Sequence, residues 1–279
     1  MADTLTVEKW GRKESADWWS AGQAARQQLY GAATEVMLDV AGIQAGSRVL
    51  DVAAGTGEST LIAAARLGPK GHVLAADVSA SMLNVAAEAA RKAGLTNVET
   101  RVMNAESLEI DTDLFDAVIC RIALMLFPNP AKALSEMRRV VKPGGKVAVM
   151  VYAALEKNPF WEIFHKTVRR LGNIPAPAPD EPWMFALGEP GGLEEVYSQG
   201  DFLSVSVRAV LIQRRSPSAV AAVGNMRKGA GDAWEIMNRL NEADRERAWA
   251  EIGEQFKRFE GPNGFEIPGE VLIGVGTKQ

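Results

Sequence analysis

Cysteine and histidine are nearly absent from this sequence of 279 residues, which holds one cysteine, Cys120, and two histidines, His72 and His165. A single thiol cannot close an intrachain disulfide, so the fold must rest on its apolar core, and a reducing compartment is expected. So few Cys and His side chains leave little for a zinc site, and no metal is expected. A basic surplus is also missing: 31 Lys and Arg stand against 35 Asp and Glu, a formal net charge of −4. That balance gives no electrostatic footprint for nucleic acid. Long apolar runs are lacking too. The longest, Val147 to Leu155, is far short of a membrane span. The first ten residues mix Asp3, Glu8 and Lys9 and do not read as a signal peptide. A cytoplasmic protein with neither membrane nor nucleic-acid partner is the expectation. No internal repeat or low-complexity tract occurs. What is present is ordinary globular composition, 47% hydrophobic and 24% charged, in a chain long enough to bury a sizeable core.

From Arg48 to Tyr152 strand-like and helix-like segments alternate. Arg48–Ala53 reads as a buried strand broken by Gly55-Thr56-Gly57. Glu58–Leu67 reads as a helix, ended by Gly68-Pro69. His72–Ala76 is a second strand, and Ser79 can cap a helix that runs to about Lys92 before Gly94. Val98–Met103 and Phe115–Cys120 are the third and fourth strands. Pro130 suits the first turn of a helix reaching Val141. Pro143-Gly144-Gly145 reads as a turn before a fifth strand, Lys146–Tyr152. This alternation implies right-handed βαβ units around a parallel sheet. Beyond Ala154 the rhythm changes. Asn158–Leu171 spaces Phe160, Trp161, Phe164 and Val168 as a helix does. Pro175, Pro177, Pro179 and Pro182 mark an extended loop. Phe202–Ile212 is strand-like, Asp244–Phe259 is an amphipathic helix, and Val271–Gly276 is a final strand.

The segment Val49-Leu50-Asp51-Val52-Ala53-Ala54-Gly55-Thr56-Gly57 carries the chemistry. A glycine-rich turn after a first strand lets a ligand approach the backbone closely. The dinucleotide pattern G-x-G-x-x-G fails in either register. One register puts Thr60 at the third glycine, and the other puts Glu58 there, a negative charge where a pyrophosphate would sit. A cofactor without phosphates tolerates that glutamate. The segment resembles motif I of the class I S-adenosylmethionine-dependent methyltransferases. Further motifs follow in order: Leu74-Ala75-Ala76-Asp77-Val78-Ser79, Met103-Asn104-Ala105-Glu106, Phe115-Asp116-Ala117-Val118, and Arg138-Arg139-Val140-Val141-Lys142-Pro143-Gly144-Gly145-Lys146. The set covers about residues 45–152 and is similar to the ubiquinone/menaquinone-biosynthesis branch and its small-molecule relatives.

The resemblance implies a Rossmann-like α/β fold. Its seven-stranded, mostly parallel sheet would have the order 3-2-1-4-5-7-6, helices on both faces and a helical substrate hood. One domain is then expected. It would comprise an N-terminal helical lid (1–45), a cofactor-binding core (46–152) and a hood insertion (153–200). A C-terminal part (201–279) would complete the sheet and carry a helical insertion at 216–260. The cofactor implied is S-adenosyl-L-methionine. Asp51 would orient the glycine loop and the methionyl amine, while Ala53, Gly55, Thr56 and Gly57 would let the backbone reach the cofactor. Asp77 would accept from both ribose hydroxyls, matching a two-oxygen acceptor to two donors. Val78 and Met82 would pack on the adenine, Ala105 would offer its N–H, and Asn104 would accept from the adenine amino group. Glu106 belongs to the same acidic motif, and Arg121 falls where the family lines the methionyl end. Ala53 replaces the first loop glycine and tightens the space there.

The sulfonium methyl arrives activated, so the protein must align the partners and exclude water. If the acceptor must lose a proton, His165 is a candidate base by its ordinary pKa, although a solvent-facing helix position is the plainer reading. Tyr152 at the end of the fifth strand is the other candidate. Cys120 reads as a buried structural thiol. Aromatic residues at Trp10, Trp18, Trp19 and Tyr30, and again at Phe160, Trp161, Phe164, Trp183 and Phe185, fit an apolar or aromatic acceptor. Arg208, Arg214, Arg215, Arg227 and Lys228 form a stretch without acids. It would steer an acidic substrate or simply solvate a strand edge. Methyl transfer to oxygen or carbon of a small acceptor is the leading expectation. A non-catalytic cofactor-binding module and a macromolecule methyltransferase stand as alternatives. After the fourth strand comes Arg121-Ile122-Ala123-Leu124, not the Asn/Asp-Pro-Pro-aromatic tetrapeptide of adenine or glutamine amino-group methylation. A homodimer is left open.

Overall fold

A computed structural model describes residue 10 and residues 13–178, 181–228 and 232–279. The first nine residues of the expected lid, Pro179 in the proline-rich loop and the side chain of Trp18 lie outside the described residues. Among the described residues, α1 (Lys13–Ala21) and α2 (Gln23–Val40) precede the first strand. The alternating region follows as β1 (Arg48–Val52), α3 (Glu58–Leu67), β2 (His72–Asp77), α4 (Ala80–Lys92), β3 (Val98–Val102), β4 (Phe115–Arg121), α5 (Pro130–Val140) and β5 (Val141–Tyr152). Beyond it lie α6 (Pro159–Gly172), α7 (Gly192–Ser198), β6 (Leu203–Ser216), α8 (Ala219–Arg227), α9 (Asp232–Met237), α10 (Glu242–Phe256), the two-residue β7 (Glu260–Gly261) and β8 (Gly264–Thr277).

The sheet runs β3-β2-β1-β4-β5-β8-β6, with β7 pairing only with β8. This is the expected order once the last long strand is counted as seventh. Strands β1 to β5 run parallel to one another, and β8 is antiparallel to both β5 and β6. Consecutive residues of β1 and β4, such as Val49, Leu50, Val118 and Ile119, are fully buried. Burial on both faces explains why these strands read as continuous apolar runs. Local signals set the helix starts. Ser79 Oγ accepts from Met82 N at 3.3 Å, and Asn129 Oδ1 accepts from Lys132 N at 2.9 Å with Pro130 just inside the helix.

Three expectations shift. The Pro143-Gly144-Gly145 turn lies inside β5: pairing with β4 starts at Phe115–Val141 and resumes at Ala117–Lys146, so the turn is a bulge in the strand. Gly144 adopts φ +77°, and a Cβ on Gly145 would stand 2.7 Å from Asp116 O. Strands β6 and β8 pair over a much longer stretch than expected, to Ser216–Phe265. Pro268 and Gly269 inside β8 hide this from a propensity reading. Pro268 is exposed, while a Cβ on Gly269 would meet Asn158 Oδ1 at 2.8 Å. Helix α10 stops at Phe256, its last expected turn being a 3-10 turn at Lys257–Phe259.

Two large apolar clusters result. One fills the sheet and its flanking helices, including Met37 and Leu38 of α2. The second joins Phe160, Phe164 and Val168 of α6 to Trp249, Ile252 and Phe256 of α10 and to Phe265 and Ile267 of β8. Asn158 ties them together: its Oδ1 accepts from Glu270 N at 3.0 Å, and its Nδ2 donates to Glu270 O at 3.1 Å. Helix α7 lies on the sheet, where Tyr197 Oη contacts Val147 O and Gly274 O at 3.1 and 3.0 Å.

Gly57 shows how the glycine loop is packed. It adopts φ +88°, and a Cβ there would stand 2.7 Å from Ala86 Cβ on α4. Replacing Gly57 with alanine adds left-handed strain to a steric conflict between packed helices. Urea unfolding of Gly57→Ala is expected to show a loss of about 2–3 kcal/mol.

Candidate active site

The chain leaves β1 outward through β2 and β3, then returns to β1's other side as β4. In open α/β sheets ligands bind beyond the carboxyl ends of the strands at such a reversal. A cavity of about 600 Å³ opens there. The glycine loop, the end of β2, the loop after β3 and the end of β4 form one wall. The other wall holds Tyr30 of α2, Tyr152 of β5, Phe160 and Trp161 of α6, and Arg214 of β6.

Ala53, Gly55, Thr56, Asp77, Val78, Met82, Asn104, Ala105, Glu106, Arg121 and Tyr152 all line this cavity. Asp51, Gly57 and His165 do not. Gly57 serves helix packing. Asp51 lies beneath the loop, with its Oδ2 accepting from Ser59 Oγ at 2.8 Å and Thr60 Oγ1 at 2.7 Å. It therefore anchors the start of α3, and its Oδ1 is buried with no hydrogen-bond partner. Burial pushes its carboxyl up to about 6, against the pull of those two hydroxyls.

Asp77 is buried at the end of β2. Its Oδ1 accepts from Ser79 N and its Oδ2 from Gly55 N, both at 2.9 Å. Burial raises its pKa, opposed by these backbone donors. A carboxylate offers about four acceptor sites, so capacity for a ligand hydroxyl remains beyond these backbone donors. Gly55 adopts φ +55°, and only Met82 Sδ would come within 4.0 Å of a Cβ there, so the loop backbone is open to a ligand. This donor and acceptor set fits S-adenosylmethionine. Asp77 would hold the ribose, with Gly55 and Met82 beside it.

Other expected ligands carry structural duties as well. Asn104 Oδ1 accepts from Glu106 N at 2.9 Å, so the oxygen expected to read an adenine amino group is already part of a turn. Glu106 Oε1 accepts from Asn129 N at 2.8 Å and ties the loop after β3 to the start of α5. Ala53 departs from glycine in backbone as well as in volume: its φ is +54°, as is that of Ile122 beyond β4. Two non-glycine residues in the left-handed region thus flank the cavity at the ends of adjacent strands, where strain often marks a functional site.

One network escaped the sequence reading. Glu58, whose charge argues against a pyrophosphate, is buried between two arginines. Arg26 Nη2 lies 2.6 Å from Glu58 Oε1, and Arg121 Nη2 lies 3.6 Å from Glu58 Oε2. Arg26 also donates to Thr56 Oγ1 at 3.1 Å and covers the Trp19 ring at 4.3 Å, while Gln23 Nε2 donates to Thr56 O at 3.0 Å. The α1–α2 region is thereby fastened to the glycine loop. Only spatial proximity reveals this, since Gln23 and Arg26 lie about thirty residues from their partners.

Tyr152 Oη is hydrogen-bonded to Tyr30 Oη and accepts from Trp161 Nε1 at 3.3 Å. Burial holds the Tyr30 phenol well above its ordinary pKa, so it stays protonated near neutrality. His165 contradicts the solvent-facing expectation. It is buried on α6 among Trp161, Phe164, Trp183 and Phe185, away from the cavity. Burial, aided by the charge of Arg169, lowers it to about 4. Cys120 is fully buried, as expected. No helix among the described residues is long and apolar enough to cross a membrane, and none of their side chains form a metal-binding group.

Sheet order, the reversal-point cavity and the buried carboxylate of Asp77 at its rim fit a class I methyltransferase fold with S-adenosylmethionine as cofactor. Residues 43–197 match a family model described as a methyltransferase domain. The chain belongs to this methyltransferase family. It is 37% identical over 128 residues to the ubiquinone/menaquinone biosynthesis C-methyltransferase of Vibrio vulnificus, covering 46% of this chain and 49% of that protein. The chain thus spans about half the length of the curated relatives it matches. Among solved structures it resembles the YcgJ protein of Bacillus subtilis, with a TM-score of 0.56, 22% identity, and 89% and 99% of the two chains covered. It also resembles phosphoethanolamine N-methyltransferase 2 of Haemonchus contortus, solved with S-adenosyl-L-methionine. There the TM-score is 0.56, the identity 18%, and the coverage 93% of this chain and 57% of the other. At these identities the structural likeness concerns the fold.

Two measurements check the site. Calorimetry should show Asp77→Ala binding S-adenosylhomocysteine at least about tenfold more weakly than wild type, because a charged acceptor of two hydroxyls is lost. The second concerns pH. His165 has a depressed folded pKa, so its contribution is present above its unfolded value of 6.5 and is lost as pH falls toward about 4. Asp51, raised from 3.8 to about 6, acts in the opposite sense: its contribution is full below 3.8 and is lost as pH rises through about 6. In wild type the two slopes oppose each other between pH 4 and 6.5. His165→Phe removes the contribution that rises with pH, so its stability relative to wild type falls by about 2–3 kcal/mol across that window and the Asp51 slope is left unopposed. Urea midpoints at several pH values read this directly.

Proposed function

We propose that the protein transfers a methyl group from S-adenosylmethionine to oxygen or carbon of a small aromatic or apolar acceptor. The observation that carries this reading is the continuity of one cavity. Its cofactor end, at Gly55 and Asp77, runs without a break into a wall of Tyr30, Tyr152, Phe160, Trp161 and Met184. The relatives named for ubiquinone and menaquinone biosynthesis support a ring-bearing acceptor, within the half of their length that is matched. When bound, the cofactor supplies an activated sulfonium methyl. The chain's own part is to place the acceptor, shield it from water and manage a proton. Aromatic faces from α2, β5 and α6 would sandwich a ring and exclude water. Tyr152 Oη accepts from Trp161 Nε1, and with Tyr30 donating in the contact between the two hydroxyls Tyr152 would keep its own proton for the cavity. It would then hold an acceptor oxygen by donating a hydrogen bond. His165 has no part in this arrangement, being low in basicity and walled off by aromatic rings.

The test is transfer of a labelled methyl group to panels of phenols, quinols and amines. Label is expected in the phenol or quinol panel, with Tyr152→Phe reducing turnover about tenfold or more and His165→Phe staying within about threefold of wild type. Tight cofactor binding without transfer to any panel member would favour a non-catalytic module instead.

A further inference from the structure

The acceptor end of the cavity is electrically lopsided. The carboxylates that line the cavity among the described residues are Glu58, Asp77 and Glu106, which follow or end β1, β2 and β3 at the cofactor side. Glu58 is neutralised by Arg26 and Arg121, and Glu106 is engaged by Asn129 N. The opposite end receives Arg214, Arg215 and Lys228 with no acid facing them in the cavity wall. Arg215 is bound by Glu266 at 2.7 Å, and its neighbour in the basic stretch, Arg227, by Glu246 at 2.8 Å. Arg214 has no carboxylate partner among the described residues. It shares a strand face with buried Ile212 and is itself half-buried. Its guanidinium lies over Phe160 at 4.3 Å and Trp161 at 5.9 Å, and its charge acts on Tyr30.

A half-buried guanidinium stacked on aromatic rings keeps its planar edge available for a bidentate anion. Phe160 is buried with Arg214 and Phe256 against its ring, while half-buried Trp161 in the cavity wall offers an aromatic surface beside that edge. We infer that the acceptor is an aromatic carboxylate, its carboxylate held by Arg214 and its ring packed against Trp161. This deepens the methyl-transfer reading and rests on it. Arg214 would thus be a specificity-determining residue of the acceptor site. The basic stretch would then place half-buried Arg214 and exposed Lys228 at the cavity, with Arg215 and Arg227 held in ordinary ion pairs.

Binding tests this without requiring turnover. The probes are aryl carboxylates, namely substituted benzoates and 1- and 2-naphthoate, each paired with its methyl ester. They are titrated calorimetrically into the full chain saturated with S-adenosylhomocysteine. At least one carboxylate is expected to bind with its ester at least about tenfold weaker, since a charge-assisted bidentate contact is lost. Arg214→Gln should erase the difference while keeping S-adenosylhomocysteine affinity, and Arg214→Lys should keep part of it. Arg227→Gln, a charge loss outside the cavity wall, should leave the difference intact. Esters binding as well as acids would overturn the inference, as would retained discrimination in Arg214→Gln. So would the absence of carboxylate binding in protein that binds S-adenosylhomocysteine normally. Failure to bind S-adenosylhomocysteine at all would instead defeat the methyl-transfer reading itself. If Arg214→Gln does not fold, the acid–ester comparison in wild type and Arg214→Lys still decides the matter.

Discussion

Strand β1 is hydrogen-bonded in parallel to β2 on one side and β4 on the other, and the whole site depends on that reversal. Because the chain moves outward from β1 and then crosses back, the loops at the carboxyl ends of β1 and β4 diverge and leave a crevice that no backbone fills. The strands can hold this arrangement because both faces are buried, with Val49, Leu50, Val118 and Ile119 sealed from water. The positive φ of Ala53 and Ile122 falls at the ends of these two strands, so the backbone strain sits where the crevice opens. A rigid, doubly covered sheet is what can sustain such strain at its edge.

Charge inside the crevice follows a second constraint: a buried carboxylate must be met by donors or give up its charge. Four acids around the cofactor end resolve this differently. Asp77 takes two backbone amides, Glu106 takes one, and Glu58 takes two guanidinium groups. Asp51 takes two hydroxyls on one oxygen and nothing on the other, and its affinity for a proton rises accordingly. The Glu58 arrangement has a structural consequence. Arg26 comes from α2, so satisfying Glu58 also fastens the helices before β1 across the mouth of the cofactor end. Neutralising a buried acid and covering the site are one interaction here.

The acceptor end obeys a different logic. Its walls come from elements far apart in the chain: α2, β5, α6 and β6. The second apolar cluster, built on Phe160, Phe164, Trp249 and Phe256, holds α6 against α10 and β8, and thereby sets where Phe160 and Trp161 meet Arg214. The long β6–β8 pairing carries Arg214 to the same place. Specificity for the acceptor therefore rests on packing remote from the glycine loop.

The sequence by itself determined the parallel core, because strands buried on both faces must be continuous apolar runs and each helix between them carries its own cap or breaker. Glu58–Leu67 and the Ser79 cap appear where those local signals place them. Asp77 and the glycine loop were legible for the same reason: their geometry is set by a few adjacent residues. The tertiary structure alone decided the rest. The full length of β8 was hidden by Pro268 and Gly269, which are tolerated because one is exposed and the other lies against Asn158. Periodicity could not show that His165 faces an aromatic cluster, since Trp183 and Phe185, which surround it, arrive from a loop beyond α6. The pairing of Glu58 with Arg26 and Arg121, and the isolation of Arg214 beside Phe160, are likewise long-range events. Charge partners are chosen by distance in space, and spacing along a chain carries no record of that distance.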